Sequence, residues 1–489
     1  MLPAGAETLA DLAPGSATTT CGENAVRSID SKPARAGRVS GGRALFRAVT
    51  AGLLLAASAL GAPAQGLIRD AEVERTLDRI AEPVFQGGGV SPSSIKLYII
   101  GDSSLNAFVA GGRNIFINTG MLMRLTRARQ IQAVLAHELG HINGGHLARR
   151  GLDTEGATGA AAVGILLAIA AGIAGSPDAA GAIFTGSQSV LQRSFLQFSR
   201  GEEASADQAG LTYMERAGIN PTGMREVLDI LRGQEQMMGR NVDPYALTHP
   251  MSVDRMLLAE RRIDSSPFRD KPDDPDLAYW VERMRAKLEG FTKRPETVLE
   301  SLPNDDSEFT LVRRAVALHR LPDPKGAMQA MDRLLAKRPG DPFYLELKAQ
   351  ILLESGRVAE SVPFYRRAAA AAPKEPLIAA ELAHALIALD DGTGNSKGNA
   401  EALTILKKAT RDDPANGIAL RDLALAYARD GQEGLAALAT AERYALRTDF
   451  ADVIRHARHA VAVLPEGSPG WLRAQDLILV AERMEKKRQ

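Results

Sequence analysis

Between Ala128 and Arg150 the apolar residues Ile131, Val134, Leu135, Leu139 and Ile142 recur at helical spacing, which predicts an amphipathic helix. Ahead of it, Ile95–Ile100 and Asn114–Asn118 read as short strands joined through Gly111-Gly112, a hairpin-like pattern. Past Asp264 the segments Ser265-Ser266-Pro267 and Lys271-Pro272-Asp273-Asp274-Pro275 have linker composition, and a helix over about Asp276–Gly290 follows them. A second break at Leu302–Asp306 opens a region in which helical segments of roughly 12–17 residues alternate with short turns to the end of the chain. The pattern thus predicts a mostly helical α+β domain with a small sheet, followed by an all-α domain.

Two apolar stretches do not fit either domain. Residues 1–42 are rich in Ala, Gly, Ser, Thr and Pro without a lasting apolar period and are expected to be disordered. Arg43 and Arg47 then precede the uncharged run Ala48–Leu60, and Ala62-Pro63-Ala64 follows as a small-x-small cleavage site. That is the layout of a secretory signal peptide whose removal leaves Gln65 first. The length of the segment ahead of the basic residues fits a translation start nearer Val39. The second stretch, 156–177, carries no charge and is long enough to span a bilayer, yet much of it is Ala and Gly, which favour insertion weakly. It reads as a cover over the active site, with membrane contact as the alternative.

Composition removes several classes. The chain has 59 Lys+Arg against 59 Asp+Glu, and loss of the leader leaves a small acidic surplus, so no basic excess points to nucleic acid. Its one cysteine, Cys21, lies in the leader, which excludes a disulfide framework or a cysteine metal cluster. Residue boundaries expected on these grounds are 1–64 for the leader, 65–264 for a catalytic domain, 265–305 for a linker with its helix, and 306–489 for the helical domain.

The candidate chemistry sits on the first helix, in His137-Glu138-Leu139-Gly140-His141. Residues four apart on a helix differ by about 40° around the axis and about 6 Å along it, so two imidazoles can meet one ion. Glu138 projects at the edge of that face, where a carboxylate can take a proton from an attacking water. Catalytic zinc takes three protein ligands and leaves one position open. His146 follows His137 by nine residues, and nine helical steps turn it about 180° to the far side, so it reads as a surface or second-layer histidine. The better third ligand is Glu203 in Ser199-Arg200-Gly201-Glu202-Glu203-Ala204-Ser205-Ala206-Asp207. Asp207, four residues on, shares its face and can accept a hydrogen bond from the outer nitrogen of a ligand histidine. Glu202 points about 100° away and is the poorer choice.

These motifs resemble those of the zinc metalloendopeptidases that include the heat-shock protease HtpX and the CAAX prenyl endopeptidases. Asn106-Ala107-Phe108 and Asn114-Ile115-Phe116-Ile117-Asn118-Thr119-Gly120 are similar to the strand ahead of that family's active-site helix, and the resemblance covers about residues 70–260. It implies a zincin-type peptidase fold and Glu203 as the third zinc ligand. A strand edge beside the zinc would bind extended peptide by strand addition. In Leu247-Thr248-His249-Pro250 the resemblance extends to the periplasmic branch, whose matching histidine reaches the zinc as a fourth ligand. It implies that His249 holds a resting state or stabilises the oxyanion when it swings away, with Arg255 as a further partner.

The C-terminal half carries a repeat. Pro339 and Pro373 are 34 residues apart, the length of a tetratricopeptide repeat. Gly356, Ser361, Tyr365, Ala368 and Pro373 fall at its small, aromatic and terminal positions; Ala402, Leu406, Ala409 and Pro414 echo them after an insertion at Asp391–Asn395. Val453, Ala457, Ala460 and Pro465 form a weaker last copy. Such solenoids bury a shared core and present concave surfaces to protein partners. A peptidase followed by these repeats resembles the periplasmic branch in domain order. That resemblance implies unfolded or misassembled protein substrates, and repeats that dock on the outer-membrane protein assembly machinery.

Overall fold

A computed structural model describes residues 66–146, 199–237, 249–389 and 396–488 of the 489-residue chain. The leader, the stretch 156–177, Leu247-Thr248 and the insertion Asp391–Asn395 lie outside the described residues.

The sheet begins with β1 (Leu67–Ile68), antiparallel to β2 (Lys96–Ile100). β2 runs parallel to β4 (Asn114–Asn118), and β3 (Ala107–Ala110) lies antiparallel to β4, giving the order β1-β2-β4-β3. Gly111 and Gly112 do turn a hairpin, at φ 60° and 88°. Its first strand, however, is Ala107–Ala110 and not Ile95–Ile100. Parallel neighbours cannot be joined by a tight turn, so the chain leaves β2, makes β3 on the far side of β4, and returns. All of β3 is buried, so its sequence Ala-Phe-Val-Ala lacks the polar alternation that marks a half-exposed strand.

One face of the sheet packs on helices. α1 (Ala71–Gly87), capped by the Asp70 carboxylate accepting from the Val73 N–H at 2.9 Å, buries Val73, Leu77, Ile80, Val84 and Phe85. That i, i+3/i+4 stripe joins Ile99, Ile115 and Ile117 of the strands and Ile131, Leu135 and Leu139 of α3 (Ala128–Asn143), reached through the short α2 (Thr119–Arg124). α4 (Arg200–Arg216), α5 (Thr222–Met237) and α6 (Val253–Asp264) complete this core with Leu211, Met214, Val227, Leu231, Ala259 and Ile263.

The connecting helix α7 (Pro275–Thr292) covers the predicted Asp276–Gly290 and is more than a linker. Val281, Met284 and Leu288 belong to the first core, whereas Ala286 belongs to a second core together with Ala71 of α1. α8 (Pro295–Ser301) leads into helix pairs: α9 (Glu308–Arg320) with α10 (Pro324–Lys337), α11 (Pro342–Glu354) with α12 (Val358–Ala371), and α13 (Pro376–Leu389) with α14 (Ser396–Asp412). α15 (Gly417–Arg429) with α16 (Glu433–Leu446), then α17 (Phe450–Val463) with α18 (Pro469–Arg488), end the chain. The small and aromatic positions of the repeat grammar are where these helices meet: Ser361, Tyr365, Ala368, Ala402, Leu406 and Ala409 are all buried. Among the described residues, no helix is long and apolar enough to cross a membrane.

The first helix and the repeats are joined through buried charge. Arg283 of α7 donates from Nε to Glu72 and from Nη1 and Nη2 to Asp341 at 2.5 and 2.6 Å, with its guanidinium 3.8 Å from the centre of the Tyr344 ring. Lys287 Nζ lies 2.8 Å from Asp70, 3.4 Å from Glu72 and 3.2 Å from Glu346 of α11. At the edge of this network Glu346 meets Glu381 of α13, and burial pushes the Glu346 carboxyl up to about 7 despite Lys287. A carboxyl whose folded pKa is raised favours the folded state most when protonated. Its contribution is therefore complete below the ordinary carboxyl range and falls as pH rises from about 4.5 to about 7. Urea unfolding of the wild type and Glu346→Gln across this range should show a weaker pH dependence in the variant. Identical slopes would mean that Glu346 keeps an ordinary pKa.

Candidate metal centre

α3 and α4 bring the site together because their backbones touch. A Cβ on Gly140 would stand 2.8 Å from the Ala206 carbonyl oxygen, and one on Gly210 would stand 3.1 Å from the backbone of Ala136 and His137. Glycine at both places lets α4 lie directly against the histidine-bearing helix. At the start of α4, Ser199 and Glu202 form a capping box, with the Glu202 carboxylate accepting from the Ser199 N–H at 2.9 Å. Glu202 is thus spent on the helix end, while Glu203 and Asp207 turn inward and are buried.

The ligand atoms offered by His137, His141, Glu203 and His249 all lie within 4.8 Å of one another. Both helix histidines present Nε2 to this centre, 3.0 Å apart, and Glu203 lies 3.2 Å from His141 Nε2 and 3.5 Å from His137 Nε2. His137 Nδ1 faces outward to Asp207 Oδ1 at 2.8 Å. His249 enters from the segment before α6, with Nδ1 3.2 Å from His137 Nε2 and 2.9 Å from Glu203 Oε1. Glu138 is fully buried beside them, and neither of its carboxylate oxygens has a hydrogen-bond partner among the described residues. A borderline-soft dication suits two imidazoles and a carboxylate, and an adjacent carboxylate with unmet acceptors suits a water held next to it. The residues present fit a zinc site.

Arg255 does more than the sequence indicates. The Ser252 side chain caps α6 by accepting from the Arg255 N–H at 3.2 Å, and the guanidinium runs back under the site. It donates to Asp207 at 2.7 and 3.0 Å, lies 2.7 Å from Glu203 Oε2 through Nη1, and holds the Pro250 carbonyl at 3.0 Å. One cation therefore ties the candidate ligand Glu203, the supporter of His137 and the segment bearing His249. No local pattern reveals this, because the two carboxylate partners are 48 and 52 residues away in sequence.

The electrostatics follow from this packing. Burial works against a charge on His137, but Glu203 and the hydrogen bond to Asp207 outweigh it and raise its pKa. Burial pushes His141 down to about 3, with His137 and His249 adding to the effect against Glu203. Burial disfavours ionised Glu203 and Asp207 too, yet the surrounding imidazoles, and Arg255 beside Asp207, hold both below the ordinary carboxylate range. Glu138 goes the other way, because burial raises it more than the nearby imidazoles lower it.

His146 is buried, which corrects its reading as a surface residue and agrees with the second-layer alternative. The 180° argument assumed that the helix continues. It stops at Asn143, and Gly145 at φ 64° reverses the chain, so that the imidazole folds back until its Nδ1 lies 2.8 Å from His141 Nδ1. The pair Gly144-Gly145 was the available signal for this turn. The sheet needs a second correction. β4 is a central strand, so among the described residues the outer strand near α3 is β3 and not Asn114–Asn118.

Two histidines one helical turn apart, a carboxylate from the crossing helix and an adjacent buried glutamate define a zinc-dependent metalloendopeptidase. Residues 68–263 match the model of Peptidase family M48. Over 377 residues the chain is 26% identical to the β-barrel assembly-enhancing protease of Yersinia pestis, covering 76% of this chain and 75% of that protein. Over 186 residues it is 29% identical to the metalloprotease LoiP of Escherichia coli strain K12, covering 38% of this chain and 69% of that one. Among solved structures, a thermophilic TPR protein of Thermus thermophilus aligns at 20% identity over 35% of this chain and 100% of its own, with a TM-score of 0.26, too low to bear on the fold.

Proposed function

We propose that the chain is an exported endopeptidase of the periplasm that removes misfolded or stalled proteins during outer-membrane protein assembly. The observation that carries the catalytic part is the convergence of His137, His141, Glu203 and His249 beside the Glu138 carboxylate, which accepts no hydrogen bond among the described residues and has His249 Nε2 at 3.6 Å. The name of the Yersinia pestis relative, which aligns along both halves of the chain, supports the pathway. The helix pairs and their 34-residue period support tetratricopeptide repeats at 306–489, which would dock on the assembly machinery. The peptidase domain on this reading is 65–264, with 265–305 connecting the two.

Zinc held by His137, His141 and Glu203 would supply a Lewis acid that polarises the scissile carbonyl and acidifies the attacking water. Glu138 takes the water's proton on its carboxylate and hands it to the leaving amine. Asp207 accepts from Nδ1 of His137 and so fixes the tautomer that points Nε2 inward. Arg255 helps keep Asp207 ionised and holds both Asp207 and Glu203 in place. An extended substrate would lie along the β3 edge, bonding through main-chain groups with little demand on side chains.

The position of His249 favours a resting form. Its Nδ1 stands among the ligand atoms where an open coordination position is needed for turnover. His249→Ala should therefore raise basal cleavage of an unfolded substrate while weakening metal retention. Unchanged proteolysis and unchanged metal affinity would end the latch reading. The pathway is tested separately, by offering the wild type an outer-membrane β-barrel protein either unfolded or folded in detergent micelles. Selective cleavage of the unfolded form is expected, and equal cleavage or sparing of both forms would count against quality control.

A further inference from the structure

The two helix histidines are supported differently. His137 gives its outer nitrogen to a carboxylate, Asp207, whereas His141 gives its own to another imidazole. We propose that His146 is a positioning residue for the metal, a neutral hydrogen-bond acceptor that sets the tautomer and ring plane of His141. This inference rests on the zinc-site reading above.

The geometry restricts how the pair can be protonated. If His141 is to offer Nε2 to a metal, its Nδ1 carries the proton and must donate it. The atom 2.8 Å away is Nδ1 of His146, which must then be the lone-pair nitrogen of a neutral ring. The two rings are nearly perpendicular, 74° between planes at 5.0 Å, so the edge of each faces the other. Both side chains are buried, which leaves little freedom for solvent to replace the bond.

The backbone is shaped for this contact. Gly145 reverses the chain, and the space over Gly144 is taken by the imidazole: a Cβ there would stand 2.6 Å from His146 Nε2. Glycine at 144 is therefore what admits the ring to its place.

Charge explains why an imidazole suits this place better than a second carboxylate. Glu138, Glu203 and Asp207 are buried acids and Arg255 is the buried cation among them. With all four ionised, the balance is two negative charges, which one divalent cation cancels. A carboxylate at 146 would add an uncompensated buried charge, whereas a neutral acceptor orients His141 without disturbing the balance.

The test is zinc affinity of the full chain, measured by competition with a chromophoric chelator. His146→Leu removes the acceptor at similar size and should weaken zinc binding by about 10- to 100-fold. His146→Gln keeps a neutral acceptor oxygen within reach and should recover most of that loss. Gly144→Ala leaves every polar group intact but displaces the ring, and should weaken binding in the same direction. The zinc-free proteins are compared by thermal unfolding, so that a variant that fails to fold is recognised and the other two carry the result. Wild-type affinity in His146→Leu, or equal losses in the Leu and Gln variants, would overturn the proposal. A wild type that binds no zinc at all would instead overturn the metal-site reading on which it rests.

Discussion

Glu138→Gln is expected to retain zinc at the wild-type stoichiometry and to lose roughly 100- to 10,000-fold in turnover of an unfolded protein, the usual range for removing a general acid–base. The substitution preserves shape in a fully buried position, so the fold has no reason to change. What it removes is a carboxylate whose oxygens meet no donor among the described residues, and whose affinity for a proton burial has raised. Such a group takes up a proton more readily than an ordinary carboxylate. An amide in its place cannot accept one. Zinc analysis and a fluorogenic cleavage assay on the same preparation decide the matter, and turnover close to wild type would refute the role given to Glu138.

The second large effect is on stability. Arg283 is buried between Glu72 and Asp341 and is the only cation in hydrogen-bond contact with both among the described residues. Arg283→Met takes from the buried Glu72 its hydrogen-bonded cation, leaving Lys287 at 3.4 Å, and takes from Asp341 both guanidinium bonds. It should destabilise the protein by about 3–5 kcal/mol, the cost typical of breaking one partner out of a buried pair. Urea unfolding reads this as a lower midpoint at an unchanged slope. Adding Glu72→Met to the variant should restore part of the stability, because it removes the fully buried carboxylate and leaves only the less deeply buried Asp341 without its guanidinium. A loss no larger for Arg283→Met alone than for a surface substitution would show that the network contributes nothing to folding. This pair of variants also separates the junction from the chemistry, since among the described residues no hydrogen bond or ion pair joins Arg283 or Glu72 to His137, His141, Glu203 or His249.

What could be read from the sequence was what depends on local spacing. His137, Glu138 and His141 share one helix, and Glu203 and Asp207 share another, so a helical period places each pair correctly. The inward turn of Glu203 and the outward use of Glu202 followed from the same angular argument. It failed at His146 because it was carried past the helix end, where one glycine of positive φ changes the direction of the chain. It missed β3 because a short, fully buried strand has no alternation to detect. Arg255 and Arg283 were beyond its reach for another reason. Their acidic partners lie 48–52 and 58–211 residues distant, and nothing in the neighbourhood of either arginine distinguishes it from a surface cation.

The junction also has a bearing on how the molecule is made. Arg69, just ahead of the first helix, closes a bond at 2.6 Å with Asp413, 344 residues later. Among the described residues, Asp70 and Glu72 likewise find their cations on α7, and Arg283 finds its second acid in the repeats. Pairings this distant form late, since loop closure has to precede any reward from the contact. On the ribosome the histidine-bearing helix emerges long before Asp341 or Asp413 exists. The first described helix is therefore secured late, by residues of the C-terminal half, and a nascent or truncated peptidase half lacks the fastening of that helix.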